Sequence, residues 1–238
     1  MREVRYKEAD RILTVLTAER GKITIKARGA LRKGSRMAAA SQSLCFSEFT
    51  LFGNRGRWTA NEGVCLEQFL GLREDIAQLA LGAYFAEVLD TVCAEEMPAA
   101  ETLQLALNAL YALSRGIYAP EHITSVFEMR LMCLEGFAPE TDACGVCGRE
   151  DVKEPLFSLG SGMVHCRDCA APLDGGFAAL DDGSLAAMRH IANAEAKKEF
   201  SFVIGEESER RLGGACESFL RRQLDRAFYS LDYWKSVK

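Results

Sequence analysis

The sequence predicts an α+β protein with a small β-barrel at its N-terminus, a helical region after it, and a cysteine-rich insert within the helices. Three observations support this class. β-rich segments and turns occupy the chain up to about Phe69, apolar residues recur at helical spacing after Gly71, and two Cys-x2-Cys pairs fall within Thr141–Gly176. The predicted domains are a barrel at 1–70, a helical domain formed by 71–140 and 179–238, and an insert at 141–178.

The N-terminal barrel is predicted from short β-rich segments separated by turns. Ile23 and Ile25 alternate with polar neighbours, the two-residue period of a half-buried strand. The predicted strands are Ile12–Thr17, Ile23–Ala27, Leu44–Phe52 and Trp58–Glu62. About five short strands in fewer than about 80 residues are typical of a small barrel.

The helical region is predicted from apolar residues three and four apart. Such spacing covers Leu72–Val92, Leu103–Leu110, Ile123–Leu134 and Leu185–Ala194. From Glu209 to Trp234 the same spacing continues without interruption, which predicts one long final helix.

Composition excludes several classes of protein. Apolar residues make up 48% of the chain and charged residues 26%, as in globular domains. The longest stretch without a charged side chain is 13 residues, Thr102–Ser114, whereas a membrane-spanning helix needs about 20 apolar residues. No basic start is followed by an apolar run, so we expect no signal peptide and a cytoplasmic protein.

The net charge of −5 is distributed unevenly. Met1–Arg57 holds 13 basic and 5 acidic residues, a balance of +8, and the remainder has a balance of −13. This polarity indicates a basic module for an anionic partner beside an acidic body. The alternative is that the Lys and Arg side chains only solvate a small β domain.

Four of the nine cysteines form a candidate metal site. Cys144-Gly-Val-Cys147 and Cys166-Arg-Asp-Cys169 are separated by 18 residues, a spacing typical of zinc sites. Four thiolates would complete a tetrahedral shell and leave no open position, so we expect one structural zinc ion. A hairpin at Pro155–Val164 would carry the second pair. An iron–sulfur cluster, a redox pair, or His165 as a substitute ligand are the alternatives.

No residue pattern indicates an enzyme. The three histidines belong to no metalloprotease or deaminase motif, and neither a Walker-type phosphate loop nor a GxSxG elbow is present. Asp181-Asp182 would suit a metal-dependent nuclease, but acids at a predicted helix start are also favoured by the helix dipole. We therefore expect a protein without catalytic residues.

The N-terminal region resembles a known family of bacterial DNA repair proteins, RecO. The resemblance lies in the stretch from Tyr6 (YKEADRILTVLTAERGKI) and in Ala27–Arg36 (ARGALRKGSR). The helical block, the four-cysteine insert and the final helix follow in the same order as in that family, so the resemblance covers nearly the whole chain.

The resemblance implies a recombination mediator and not an enzyme. It implies an N-terminal OB-fold that binds single- and double-stranded DNA, a helical domain and a zinc ribbon. It further implies strand annealing, association with RecR and with the single-stranded DNA-binding protein, help in loading RecA, and a nucleoid-associated cytoplasmic location. Family members usually begin with further residues that form most of the first barrel strand. Here that strand is expected to be truncated, either because the start is misassigned or because the barrel lacks a strand and exposes an edge.

Two sets of basic residues are candidates for these partners. The predicted phosphate-binding residues are Lys22, Lys26, Arg28, Arg32, Lys33 and Arg36. Tyr6, Phe46 and Trp58 are candidates for base stacking, and the latter two suit the core equally well. On the final helix Arg211, Arg222 and Arg226 would share a face and bind the acidic tail of the single-strand binding protein. The competing function is a zinc-ribbon adaptor that binds proteins and not DNA.

Overall fold

The computed structural model describes residues 1–196 and 198–238, which form two compact units. Unit 1 contains Met1–Arg115 and Phe228–Lys238, and unit 2 contains Gly116–Ala227. The predicted α+β class is confirmed. The two units do not coincide with the predicted domain segments, and those segments stay a prediction about domain organisation.

Unit 1 is built on a five-stranded sheet in the order β1-β2-β3-β5-β4. The strands are β1 (Arg2–Tyr6), β2 (Asp10–Thr17), β3 (Gly21–Ala27), β4 (Phe46–Asn54) and β5 (Arg57–Glu67). β3 and β5 pair in parallel and all other neighbours are antiparallel, which is the Greek-key arrangement of an OB-fold. The N-terminal OB-type fold is thus confirmed.

The core of this sheet follows from the alternation in β3. Ile23 and Ile25 are buried, Thr24 is exposed and Lys26 is half-buried, as the two-residue period predicts. The same buried cluster also contains Leu13, Ala27, Ala30, Met37 and Ala60. Ala30 and Met37 lie outside the strands, so the segment after β3 is held against the sheet by its own apolar side chains.

The sheet is open, which corrects the expectation of a barrel. β1 pairs only with β2 and β4 pairs only with β5, so among the described residues no pairing joins the two outer strands. β1 itself was absent from the predicted strands. Its five residues are all exposed, so neither face shows the apolar alternation that indicates a half-buried strand.

The helices of unit 1 are α1 (Met37–Ala40), a 3-10 turn at Leu70–Arg73, α2 (Ile76–Val92), α3 (Ala100–Ser114) and α8 (Tyr229–Val237). The predicted helix from Leu72 begins later than expected. The Asp75 carboxylate accepts hydrogen bonds from the N–H groups of Ala77 and Gln78 and so fixes the start of α2.

The predicted final helix, Glu209–Trp234, is in fact two helices. α7 (Glu206–Leu224) ends where Asp225 takes a left-handed conformation, with φ of 46°. The N–H groups of Asp225 and Arg226 bond to the carbonyls of Arg222 and Arg221, which is a Schellman motif. α8 is a separate helix that belongs to unit 1. At its start the Glu87 carboxylate of α2 accepts a hydrogen bond from the Ser230 N–H at 3.2 Å.

Unit 2 contains helices and a small three-stranded sheet. Its helices are α4 (Pro120–Leu134), α5 (Arg167–Ala170), α6 (Asp182–Asn193) and α7. Its strands β6 (Leu156–Ser158), β7 (Val164–His165) and β8 (Phe177–Ala179) pair in the order β7-β6-β8. The predicted hairpin is present as β6 and β7, and Phe157 anchors it by an edge-on contact with Phe219 of α7.

Among the described helices, none combines the length and the apolar character that crossing a membrane requires.

The aspartate pair at the start of α6 has a structural role. Asp181 is the N-cap, and its carboxylate accepts hydrogen bonds from the Ser184 N–H at 2.8 Å and the Ser208 hydroxyl at 3.0 Å. Burial raises the pKa of Asp181, but these hydrogen bonds outweigh burial and hold the pKa below its ordinary value.

Asp181→Ala is expected to lower the free energy of unfolding by about 1 kcal/mol at neutral pH, because α6 loses its cap. A depressed folded-state pKa stabilises the protein above the ordinary carboxyl pKa, and this contribution disappears as pH falls through the lower folded value. Urea unfolding of both proteins between pH 7 and pH 3 checks this. A difference that stays constant over that range would contradict the charged-cap assignment.

Candidate nucleic-acid interface and metal centre

A loop between β3 and α1, residues 28–36, carries most of the predicted phosphate-binding side chains. Gly29 and Ala30 are buried, whereas the basic residues of the loop are exposed, so its first part is packed while the cations face solvent. The Arg28 N–H bonds to the Ala60 carbonyl on β5 at 3.0 Å, and the Leu31 N–H bonds to the Ala9 carbonyl at 2.9 Å. The loop is therefore tied to the sheet on both sides.

Asp10 fixes the beginning of this loop. Its carboxylate accepts the Gly29 N–H at 2.8 Å and pairs with the Lys26 ammonium at 2.9 Å. The Gly29 hydrogen bond, followed by the Lys26 contact, lowers the pKa of Asp10. Gly29 has φ of +71°, a conformation that glycine adopts without strain.

Two adjoining depressions on unit 1 share Arg28 and Arg32. One is lined by Lys7, Glu8, Asp10 and Lys26, and the other by Lys33, Arg36, Asn61 and Glu62, besides the shared arginines. We call the six basic residues of both the basic surface: Lys7, Lys26, Arg28, Arg32, Lys33 and Arg36. They outnumber the acidic residues lining the depressions by six to three.

All four cations on the loop are available to a ligand. Arg28, Arg32, Lys33 and Arg36 are exposed, and no described carboxylate lies within 4.0 Å of their charged groups. Cations without an internal partner lose little when they bind a phosphate oxygen, and arginine can do so with two parallel hydrogen bonds. The arrangement can therefore hold a chain of anionic groups.

Lys22 does not belong to this surface, in contrast to the sequence expectation. Its ammonium lies 3.4 Å from the Asp90 carboxylate of α2 and donates a hydrogen bond to the Asp90 carbonyl at 2.5 Å. Lys22 is thus part of the contact between β3 and α2. Sequence spacing placed it near the basic loop, but it lies near the opposite end of β3 from the loop.

Lys22→Met is expected to lower the free energy of unfolding by about 1 kcal/mol, since a partly exposed ion pair and a hydrogen bond are lost. Binding to an oligonucleotide and its dependence on salt should stay unchanged. Urea unfolding and a fluorescence titration on the same preparation measure both. If oligonucleotide binding by Lys22→Met depended less on salt than binding by the wild type, Lys22 would be a phosphate contact after all.

Tyr6 is the stacking candidate that lies beside the basic surface. The residue is 41% exposed at the end of β1. Trp58 packs against the sheet core, with the Arg20 guanidinium 5.0 Å from its ring centroid. Phe46 lines an apolar cavity of about 280 Å³ bounded by residues of β2, α2 and α3.

The four predicted metal ligands converge in unit 2. The sulfur atoms of Cys144, Cys147, Cys166 and Cys169 all lie within 4.8 Å of one another. Cys144 is buried and begins a tight turn closed by the Gly148 N–H to the Cys144 carbonyl at 2.9 Å. Cys166 directly precedes α5 and Cys169 lies in its first turn, so a short helix supplies the second pair.

The protonation of these thiols suits a metal ion. Burial raises the pKa of Cys144, but N–H donors from Cys147, Cys166 and Val146 outweigh it and lower the pKa to about 5. A shared hydrogen bond with Cys147, followed by burial, raises the pKa of Cys169 to about 12. Four crowded thiols thus cannot all ionise without a cation, and a divalent ion would relieve their repulsion. The four cysteines are thus close enough together to hold one metal ion.

His165 lies next to this cluster but outside the ligand set. It is 4% exposed, forms the edge-on partner of Phe177, and its Nδ1 has no hydrogen-bond partner among the described residues. The only group of potential ligands that the described residues bring together here consists of the four cysteines.

The three arginines predicted to form a stripe on the final helix are not arranged as expected. Arg211 is paired with Glu207 at 2.9 Å and lies 3.8 Å from the carboxylate of Asp181. Arg222 is exposed at the other end of α7. Arg226 lies beyond the helix, since the left-handed Asp225 ends it, so these arginines do not form one continuous helical face.

Two residues of the basic surface region were absent from the predicted site. Lys7 lines the depression beside Arg28, and Asp10 orients the loop. Their signal in the sequence was weak, because both lie in a turn-and-edge segment whose pairing partner cannot be derived from spacing. An aspartate amid basic residues was the one available indication of a loop anchor.

Fold and site together define an α+β protein with an N-terminal OB-type sheet and a small ribbon whose four clustered cysteines could hold a metal ion. Two family models match the chain: Recombination protein O N terminal over residues 1–69, and Recombination protein O C terminal over residues 73–232. The chain belongs to the RecO family of DNA repair proteins.

Similar proteins agree with this assignment. DNA repair protein RecO of Acetivibrio thermocellus is 33% identical over 237 residues, covering 100% of this chain and 94% of that protein. The RecO protein of Listeria monocytogenes is 34% identical over 169 residues, 71% of this chain and 66% of that protein. The RecO protein of Symbiobacterium thermophilum is 27% identical over 236 residues, which cover 98% of this chain and 93% of that protein.

Proposed function

We propose that the chain is a recombination mediator that binds single- and double-stranded DNA through the basic surface of unit 1. The observation that carries this proposal is the set of four exposed cations on a loop anchored to the sheet. Binding of this kind neutralises phosphates and releases counterions, so it is independent of sequence and weakens steeply with salt. It requires no catalytic residue.

A structural zinc ion is the metal we propose for the four-cysteine site. Four thiolates leave no position for substrate or water, and thiolates favour zinc over harder cations. Cys144, Cys147, Cys166 and Cys169 would hold the ion and so join the Cys144 turn to α5. The ion would stabilise the ribbon and take no part in a reaction.

We further propose that the chain anneals complementary strands, engages RecR and the single-stranded DNA-binding protein, and helps to load RecA at the nucleoid. For the acidic tail of the single-strand binding protein, we propose the end of α7 at Arg222 and Arg226, with Arg211 a lesser contributor because it is paired with Glu207. A tail peptide that binds equally well to Arg222→Glu would reject this position.

The competing function is an adaptor that binds only proteins, and one titration separates the two. A labelled single-stranded oligonucleotide is titrated at 50 mM and 200 mM salt, with a duplex of equal length in parallel. The mediator is expected to bind both, with a steep loss of affinity at the higher salt. Absence of binding at 50 mM salt would favour the adaptor, and metal-dependent strand cleavage would favour a nuclease.

A further inference from the structure

Tyr6 and two lysines form an arrangement that the phosphate contacts alone do not explain. The Tyr6 ring projects from the last residue of β1, and the ammonium groups of Lys7 and Lys26 lie over the ring, 5.5 Å and 5.3 Å from its centroid. A tyrosine that is 41% exposed gives up part of the hydrophobic stabilisation that burial of its ring would provide. The two ammonium groups over the ring give it a positively charged environment.

The position of this ring is determined by its neighbours. Tyr6 pairs directly with Asp10 across the β1–β2 hairpin, and Asp10 holds Lys26 at 2.9 Å. Lys7 has φ of +55°, a left-handed turn conformation that places it between the strand end and the hairpin turn. The same Asp10 carboxylate binds the Gly29 N–H at the start of the basic loop. The ring and the loop therefore share one anchor.

The other two aromatic candidates lack this combination. Trp58 belongs to the packing of the sheet core, and Phe46 lines the apolar cavity away from the basic loop. Only Tyr6, of these three, has its ring exposed and lies next to two cations of the basic surface.

We propose that an unpaired base stacks on the Tyr6 ring in place of the ammonium groups of Lys7 and Lys26, which then bind the phosphates on either side of that nucleotide. The inference rests on the proposed function and deepens it. Bases inside a duplex are already stacked on each other, so only an unpaired base can present its face to the ring. The site therefore makes the basic surface prefer single-stranded over double-stranded DNA.

The test compares Tyr6→Leu and Tyr6→Phe with the wild-type chain on three ligands of equal length. The ligands are a single-stranded oligonucleotide, its duplex, and a single strand of abasic sugar phosphates. Tyr6→Leu is expected to weaken binding to the base-bearing single strand about tenfold. Binding to the duplex and to the abasic strand should change by less than about twofold. Tyr6→Phe keeps the ring and should bind like the wild type.

The outcomes separate this inference from the proposed function. If Tyr6→Leu weakens all three ligands equally, the ring only positions the lysines, and the stacking site is overturned. The stacking site is also overturned if the wild type binds with a steep salt dependence and Tyr6→Leu matches it on every ligand, while the proposed function stands. A wild-type chain that binds none of the ligands overturns both. Circular dichroism shows that the compared variants are folded.

Discussion

Replacing Arg28, Arg32 and Lys33 together by alanine is expected to weaken DNA binding strongly and to flatten its dependence on salt. For single strands, each neutralised phosphate contributes about 0.7 to the slope of log affinity against log salt concentration. Loss of three contacts should therefore reduce the slope by about 2. Stability should change little, because the three side chains are exposed and form no ion pair among the described residues.

The control for this variant removes the same charge elsewhere. Lys153, Lys198 and Arg210 are exposed cations of unit 2, and their joint replacement by alanine changes the net charge equally. Fluorescence anisotropy at four salt concentrations gives the slope for both variants. Equal slopes would mean that net charge alone governs binding, and the basic surface would lose its assigned role.

Cys147→Ser is expected to abolish stoichiometric metal binding and to destabilise the ribbon. Cys147 is exposed, so serine disturbs no apolar packing, but it removes one of four thiolates. Structural zinc contributes about 10–16 kcal/mol of binding free energy in small zinc-finger domains. We expect one zinc ion per wild-type chain, less than about 0.1 in the variant, and faster proteolysis within β6 and β7.

Cys65→Ser serves as the matched control, since Cys65 is a partly exposed free cysteine of unit 1 outside the cluster. It should retain the metal. Metal content by mass spectrometry and thermal unfolding with and without a chelator provide the measurements. A metal-free wild-type chain whose melting temperature is insensitive to both zinc and chelator would refute the structural ion.

The two halves of the candidate site differed in how far the sequence predicted them. The four cysteines were predicted completely, because two short spacings leave the backbone few ways to separate the thiols. Five of the six predicted phosphate-binding residues line the basic surface, and their binding role stays a prediction. The exception is Lys22. Its partner Asp90 lies 68 residues away, and no local pattern indicates a pairing over that distance.

Helix ends were the least predictable part of the fold. The apolar spacing continues through residues 225–228, so periodicity alone predicts one helix where there are two. The break depends on Asp225 in a conformation usual for glycine, and on Glu87 of a distant helix capping α8. The residue pattern gave no bounds for β1 for a related reason, since a strand exposed on both faces has no pattern of burial.

The packing of α8 within unit 1 has a consequence for folding during synthesis on the ribosome. Phe228, Leu231 and Trp234 are buried within unit 1, although the chain reaches them only after completing unit 2. A nascent chain can therefore form the ribbon and α7 while α2 still lacks its last packing partner. Unit 1 is therefore completed only after unit 2, when the chain has been translated through α8 and α8 packs against α2.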